Sequence, residues 1–283
     1  MASGSLVVVG FDGSPESEDA IRWAVREAQL RRSTLGVVHA WRWPYPADYV
    51  NEEGAAIVRR TGENLLDHGV ELARRQAPDV RMIKWLMDGP AHAALTHEAQ
   101  GAEMIVVGSH HVGELPVGST ALRLPARADR PVVVVRTTAP RFEQIVVGVD
   151  GSAAADAALE FGFEEADLRG WKLRAVYGCW EPAEAPEHDL ALFGNEDRLR
   201  EVADGRLKRA VEPWQARYPD VDASTFLRLG SPREAMFEAA ESADLVVVGN
   251  RGTGGLEPLW LGATSGALLQ HAPCTVAIVQ ARR

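Results

Sequence analysis

Cysteine is nearly absent from this chain: Cys179 and Cys274 are the two thiols in 283 residues. Both stand in apolar, strand-like runs. A pair of buried, reduced thiols fits a cytosolic protein and offers no disulfide framework. Long apolar runs are also missing, and every hydrophobic stretch falls short of the roughly 18 residues that read as a membrane span. The opening MASGSLVVVG has no charged leader and passes straight into a strand pattern, so no signal peptide and no membrane partner are expected. Positive charge is in deficit. Thirty Lys and Arg against 40 Asp and Glu leave a formal charge of −10. That balance argues against a nucleic-acid partner, because a phosphate backbone is gripped by a clustered basic face. The phosphate-loop pattern G-x-x-x-x-G-K-[ST] does not occur, and no nucleophile, base and orienting group stand in a recognisable set.

What the chain does have is the same message twice. SLVVVGFDGS at 5–14 returns as EQIVVGVDGS at 143–152, and AEMIVVG at 102–108 returns as ADLVVVG at 243–249. PVVVVR at 131–136 is answered by PCTVAIV at 273–279. Asp12 to Asp150 is 138 positions, Gly108 to Gly249 is 141 and Pro131 to Pro273 is 142. A repeat of this length is a whole domain rather than a solenoid unit. The expected domains are 1–138 and 139–283, joined by the short connector TTAPR at 137–141.

Within each half, short β-branched runs read as buried parallel strands. Val7–Gly10 is followed by Asp-Gly-Ser-Pro, in which Ser14 is placed to cap a helix and Pro15 to occupy its first turn. Ile21, Ala24, Val25 and Ala28 then recur at helical spacing, and Leu159, Gly162, Phe163 and Ala166 do so after Ser152. Further strands are expected at 34–41 and 171–180, long helices at 51–76 and 194–217, and third strands at 80–87 and 221–229. Turns at 88–90 and 230–232 open another helix, and the fourth strands end at Gly108 and Gly249. Strands alternating with helices imply an α/β fold, a parallel sheet with helices on both faces. The segment EPAEAPEHD at 181–189 reads as a mobile surface loop. The fifth strands, 132–135 and 275–279, are apolar edges that invite pairing. They are expected to pair with each other, making the monomer an internal pseudo-dimer.

In an open parallel sheet, ligands bind beyond the carboxyl ends of the strands where the winding reverses. The first and fourth strands meet that condition. Asp12 and Asp150 follow the first strands; they serve turn formation, contact with a ligand, or both. The fourth-strand loop of the second half runs Gly249-Asn-Arg251-Gly252, then nine residues to Gly262-Ala-Thr264-Ser265. Glycines let backbone N–H groups approach an anion, a following helix N-terminus favours it, Arg251 can screen charge, and Thr264 and Ser265 carry hydroxyls. A plain flexible Gly-rich loop is the competing reading. The first half has Gly108-Ser-His-His111, then Gly118-Ser119-Thr120. This loop is three residues shorter and has His111 in place of the second glycine. Adjacent histidines without acidic or thiol partners do not form a metal set. His39 reads as a satisfied core histidine, and the eight tryptophans read mostly as core.

These residues resemble the universal stress protein family in its tandem two-domain form. The diagnostic loop G-x2-G-x9-G followed by Ser or Thr is carried by Gly249, Gly252 and Gly262, with Ala263 departing from it. V-G-x-D-G-S after the first strand and H-A-P-C before the last extend the match. The resemblance implies two Rossmann-like domains of the adenine nucleotide α-hydrolase type, each a five-stranded parallel sheet of order 3-2-1-4-5. It implies ATP as ligand, with magnesium as its accompanying ion, and a cytoplasmic role in stress response or signalling by binding rather than catalysis. Asp12 and Asp150 would face the adenine side, and backbone near Ala40 and Cys179 the base. Gly108, Gly118, Ser119 and Thr120 in the first half, and Gly249, Gly252, Gly262 and Thr264 in the second, would hold phosphate and ribose; His111 and Arg251, read from their own chemistry, are expected to face the phosphates. The alternatives are a nucleotide-free adaptor and a slow adenylate hydrolase; a homodimer is a further expected assembly.

Overall fold

The computed structural model describes residues 5–43, 51–109, 119–136, 139–179, 196–252 and 261–281. The chain divides into two compact units, 1–138 and 139–283.

The first unit begins with β1 (Leu6–Gly10), whose Val7, Val8 and Val9 are fully buried. Helix α1 (Pro15–Arg31) follows because its first turn is prepared. The Ser14 hydroxyl accepts from the Ser17 N–H at 3.2 Å, Pro15 fixes the first helical φ, and Glu16 and Glu18 meet the positive helix end. The helix buries Ala20, Ile21, Ala24, Val25 and Ala28, the stripe expected from their spacing. It stops at Arg32, held in the left-handed region at φ 53°. Then come β2 (Thr34–Trp41), α2 (Glu52–Gln76), β3 (Met82–Asp88), α3 (Ala91–Glu98), β4 (Met104–Gly108), α4 (Ser119–Arg127) and β5 (Val132–Val135). Parallel pairing gives the order β3-β2-β1-β4-β5. The winding reverses at β1, between β2 and β4, so the sheet opens a crevice there. Helix α1 packs with α2, and α3 with α4, so both faces of the sheet are covered.

The second unit repeats this plan with β6 (Gln144–Gly148), α5 (Ala153–Arg169), β7 (Lys172–Gly178), α6 (Glu196–Arg217) and β8 (Ala223–Arg228). It closes with α7 (Pro232–Ala240), β9 (Leu245–Gly249), α8 (Ala263–His271) and β10 (Thr275–Val279). Its order is β8-β7-β6-β9-β10, again parallel. The local chemistry repeats as well. Ser152 caps α5 through the Ala155 N–H at 3.1 Å, and Gly170 ends it at φ 66°, where the first unit uses Arg32. The first helix of each unit also buries an i,i+4 ion pair, Glu27–Arg31 in α1 and Glu165–Arg169 in α5.

The second unit's entry is pinned by one buried carboxylate. Asp244 accepts three backbone N–H bonds, from Arg141 at 2.7 Å, Phe142 at 2.8 Å and Glu143 at 2.6 Å. No described helix is long and apolar enough to cross a membrane. The tryptophans depart from expectation. Of the six described, only Trp23 is buried; Trp41, Trp43, Trp85, Trp171 and Trp214 are half-buried. Trp41, Trp43 and Trp171 sit at or beside strand ends, Trp85 in the middle of β3 and Trp214 on α6, where an indole covers apolar surface while keeping an edge wet. The segment 181–189 lies outside the described residues.

Candidate functional site

In the second unit the carboxyl ends of β6 and β9 bring several sequence-selected residues together. Asp150 follows β6, and its Oδ1 accepts the Ser152 N–H at 2.9 Å, an Asx turn that leads into α5. Its Oδ2 faces Gly252: a Cβ on Gly252 would overlap that oxygen. Ser152 reaches the same loop, its hydroxyl standing 3.5 Å from the Arg251 carbonyl. The two ends of the loop are tied, because the Gly262 N–H donates to the Asn250 carbonyl at 2.9 Å. A Cβ on Gly262 would lie 3.5 Å from the Arg251 Cα and 3.6 Å from the Gly252 nitrogen. Asp150, Arg251, Gly252 and Gly262 therefore converge within the second unit.

Helix α8 starts at this point. Gly262 is its N-cap and supplies no side-chain cap, so the first-turn N–H groups receive no hydroxyl or carboxylate from the cap position. Thr264 is half-buried in that first turn. Ser265 has a different task. Its buried hydroxyl donates to the Gly249 carbonyl at 2.6 Å, so it locks α8 to the end of β9. Gly249 itself is required by packing. A Cβ there would stand 2.7 Å from the Ala154 Cβ and 2.9 Å from the Ala154 carbonyl carbon, in the first turn of α5.

The first unit repeats part of this arrangement. Asp12 Oδ1 accepts from the Ser14 N–H at 3.0 Å and from its hydroxyl at 2.6 Å. Gly13 takes φ 83°, and its counterpart Gly151 takes φ 80°, a left-handed turn that glycine adopts without a Cβ clash. Gly108 packs against the first turn of α1: a Cβ would fall on the Glu16 carbonyl group and 2.9 Å from the Ser17 nitrogen. Thr120 is half-buried in α4, and Ser119 opens that helix. His111 and Gly118 lie outside the described residues. His39 is the satisfied core histidine expected, buried with Nδ1 2.7 Å from the Phe11 carbonyl oxygen.

The ladder registers relate the second strands of the two units. Gly10 aligns with Val38, and Gly148 with Val176, so the counterpart of Ala40 is Gly178 rather than Cys179. Cys179 stands at the place of Trp41, half-buried, with its N–H donating to the Arg228 carbonyl at 3.0 Å. Two residues before it, burial pushes the Tyr177 phenol up to about 12; the adjacent Cys179 adds to the rise and the Arg206 guanidinium opposes it. Ser17 and Asn250 carry geometry that the sequence reading missed. Ser17 Oγ donates to the Ser14 carbonyl at 2.8 Å and receives the Asp12 N–H at 3.4 Å. Its signal was the second serine of S-P-E-S. Asn250 acts through its backbone, which residue type does not reveal.

Comparison with known proteins now decides the family. The sequence profile described as "Universal stress protein family" matches residues 6–136 and 141–280, one match in each unit. The chain belongs to the universal stress protein family. A universal stress protein of Mycobacterium tuberculosis is 32% identical over 293 aligned residues, covering 97% of this chain and 96% of the relative. One from Mycolicibacterium smegmatis is 29% identical over 290 residues, covering 98% and 97%. The crystal structure of a universal stress protein from Archaeoglobus fulgidus superposes with a TM-score of 0.74 at 17% identity, covering 99% of this chain and all of that one. At that identity the likeness speaks for the fold, a tandem pair of universal stress protein domains.

Proposed function

We propose that this universal stress protein binds ATP in its second unit and works in stress response or signalling through that binding. The observation that carries the proposal is the convergence of Asp150, Gly252 and Gly262 at the uncapped start of α8. A glycine backbone beside a helix N-terminus presents N–H donors where a phosphate chain needs them. Arg251 supplies positive charge, Thr264 a hydroxyl, and Asp150 a polar contact on the adenine side. Gly249 serves this site by letting α5 approach the strand end. Strand positions around Gly178 and Cys179 flank the base.

The first unit is proposed as the weaker site, built from Asp12, Ala40, Gly108, Ser119 and Thr120 together with His111 and Gly118. Its shorter loop lacks the middle glycine, and an incomplete nest loses several N–H donors at once. Magnesium would arrive on the nucleotide's phosphates; among the described residues no group of three ligating side chains stands together. The scarcity of cysteine supports a cytoplasmic setting.

One observation favours a second reading, a nucleotide-free adaptor. Gly108 and Gly249 are both accounted for by helix packing without any ligand. Mass spectrometry of small molecules released from the purified protein separates the two readings. Adenine nucleotide in stoichiometric amount supports ATP binding. A ligand-free protein that also fails to bind added ATP supports the adaptor.

A further inference from the structure

The two units share a fold, yet one surface differs in charge between them. In the first unit α3 and α4 border an open groove of about 410 Å³, lined by His92, Thr96, His97, Gln100 and Arg127. Arg127 Nη1 lies 3.0 Å from His92 Nε2, so the guanidinium donates to the imidazole. Arg123, one turn earlier on α4, adds a second positive charge close enough to act on His92. Arginines elsewhere are held by carboxylates, among them Arg22, Arg217 and Arg228. Among the described residues, neither Arg123 nor Arg127 has a carboxylate within ion-pair distance.

The second unit shows that the fold does not require this. Counting 141 positions on, as β4 and β9 align, Ala93 becomes Glu234, His97 becomes Glu238 and Gln100 becomes Glu241. Glu234 and Glu238 there clamp Arg228, at 3.2 and 2.6 Å. Helix α8 has no arginine at all where α4 has two. In the second unit this helix pair carries Glu234 and Glu238, both held on Arg228 of β8, with Arg233 at the place of His92; in the first unit, among the described residues, Arg123 and Arg127 stand without a carboxylate partner. In a chain of net charge −10, such a concentration is selective for an anion.

We propose that the α3–α4 groove of the first unit binds a phosphate-type oxyanion, held by Arg123 and Arg127 with His92 as a third donor. Guanidinium forks suit tetrahedral oxyanions, and Thr96 and Gln100 line the same groove with further polar groups. This site is distinct from the crevice at the β1 and β4 ends and does not depend on the ATP proposal.

Proton linkage gives the groove a signature. Burial, then Arg127 and Arg123, lowers the His92 pKa in the free protein. The groups facing it are these two cations from α4; His97, on its own helix, stands 3.9 Å from Glu98. A bound dianion favours the imidazolium, so binding takes up a proton and affinity rises as pH falls. Sulfate keeps its charge across this range, so its pH slope reports on the protein.

The test is calorimetric titration of the full chain with sulfate at pH 6 and pH 8. Saturable binding is expected, about five-fold or more tighter at pH 6. Arg127→Gln is expected to weaken it about ten-fold or more, with unchanged melting temperature. His92→Asn should flatten the pH slope, and His68→Asn, on α2 away from the groove, should leave it. Inorganic phosphate and glycerol phosphate titrated in parallel distinguish a free ion from a phosphate monoester as the preferred ligand. Sulfate affinity unchanged in both Arg127→Gln and Arg123→Gln, or no saturable binding at pH 6, would overturn the proposal.

Discussion

Gly252→Ala is the perturbation most closely specified by the structure. The added Cβ would overlap Asp150 Oδ2, and the carboxylate cannot simply rotate away, because its Oδ1 holds the Ser152 N–H at 2.9 Å. Either that bond breaks or the loop moves. Losing one charge-assisted hydrogen bond near the surface, or shifting a loop backbone by a fraction of an ångström, costs about 1–2 kcal/mol. Gly252 does not lie in the left-handed region, so alanine brings no separate backbone penalty. The cost should therefore belong to the pair. Asp150→Ala alone removes the Asx-turn acceptor and costs about 1 kcal/mol. In that background Gly252→Ala has no carboxylate to meet and should be nearly neutral. The double-mutant cycle, read by urea denaturation of the second unit, should show a coupling of about 1 kcal/mol. Effects that add to within about 0.5 kcal/mol would refute the placement of the loop against Asp150.

Other consequences follow from single contacts. Asp244→Ala strips three backbone N–H groups of their acceptor and should destabilise the second unit by about 3–5 kcal/mol. Hydrogen exchange at the Phe142 and Glu143 amides should accelerate in step. Arg32→Gly should stabilise the first unit by about 1 kcal/mol in thermal unfolding, because it relieves a left-handed non-glycine residue at the position where α5 already ends on Gly170. Gly249→Ala drives a Cβ to 2.7 Å from Ala154 and should cost about 1–3 kcal/mol by chemical denaturation, whether or not nucleotide is present.

Much of the fold was legible because its signals are local. The Val-rich runs, the Ser-Pro entry to α1 and the apolar stripe from Ile21 to Ala28 each specify one element and recur in the second half. The strand order came through family resemblance, since nothing local tells β1 to lie between β2 and β4. Asp150, Gly252 and Gly262 were legible as a spacing. What spacing could not tell was which glycine the fold itself needs. Gly108 and Gly249 are constrained by helices that arrive from about 95 residues earlier in the chain. The equivalence of Ala40 with Gly178 needed the ladder register, because a strand's end carries no marker of register and a shift of one reverses the face presented. Ser265 was read as a ligand hydroxyl, but burial gave it to the Gly249 carbonyl. The cationic α3–α4 groove escaped notice because its residues come from two helices, and each helix alone carries only a few scattered charges.

The most direct test of the account is ATP titration of the full chain against its Gly252→Val variant by calorimetry, with Gly89→Ala as a control in an open turn. A Cβ at Gly89 meets nothing within 4 Å, although its φ of 111° adds backbone strain that the melting temperature will register. The account predicts saturable ATP binding by the natural chain, weakened about ten-fold or more by Gly252→Val and unchanged by Gly89→Ala. No binding by the natural chain, or equal affinity and stoichiometry in the Gly252→Val protein, would contradict it.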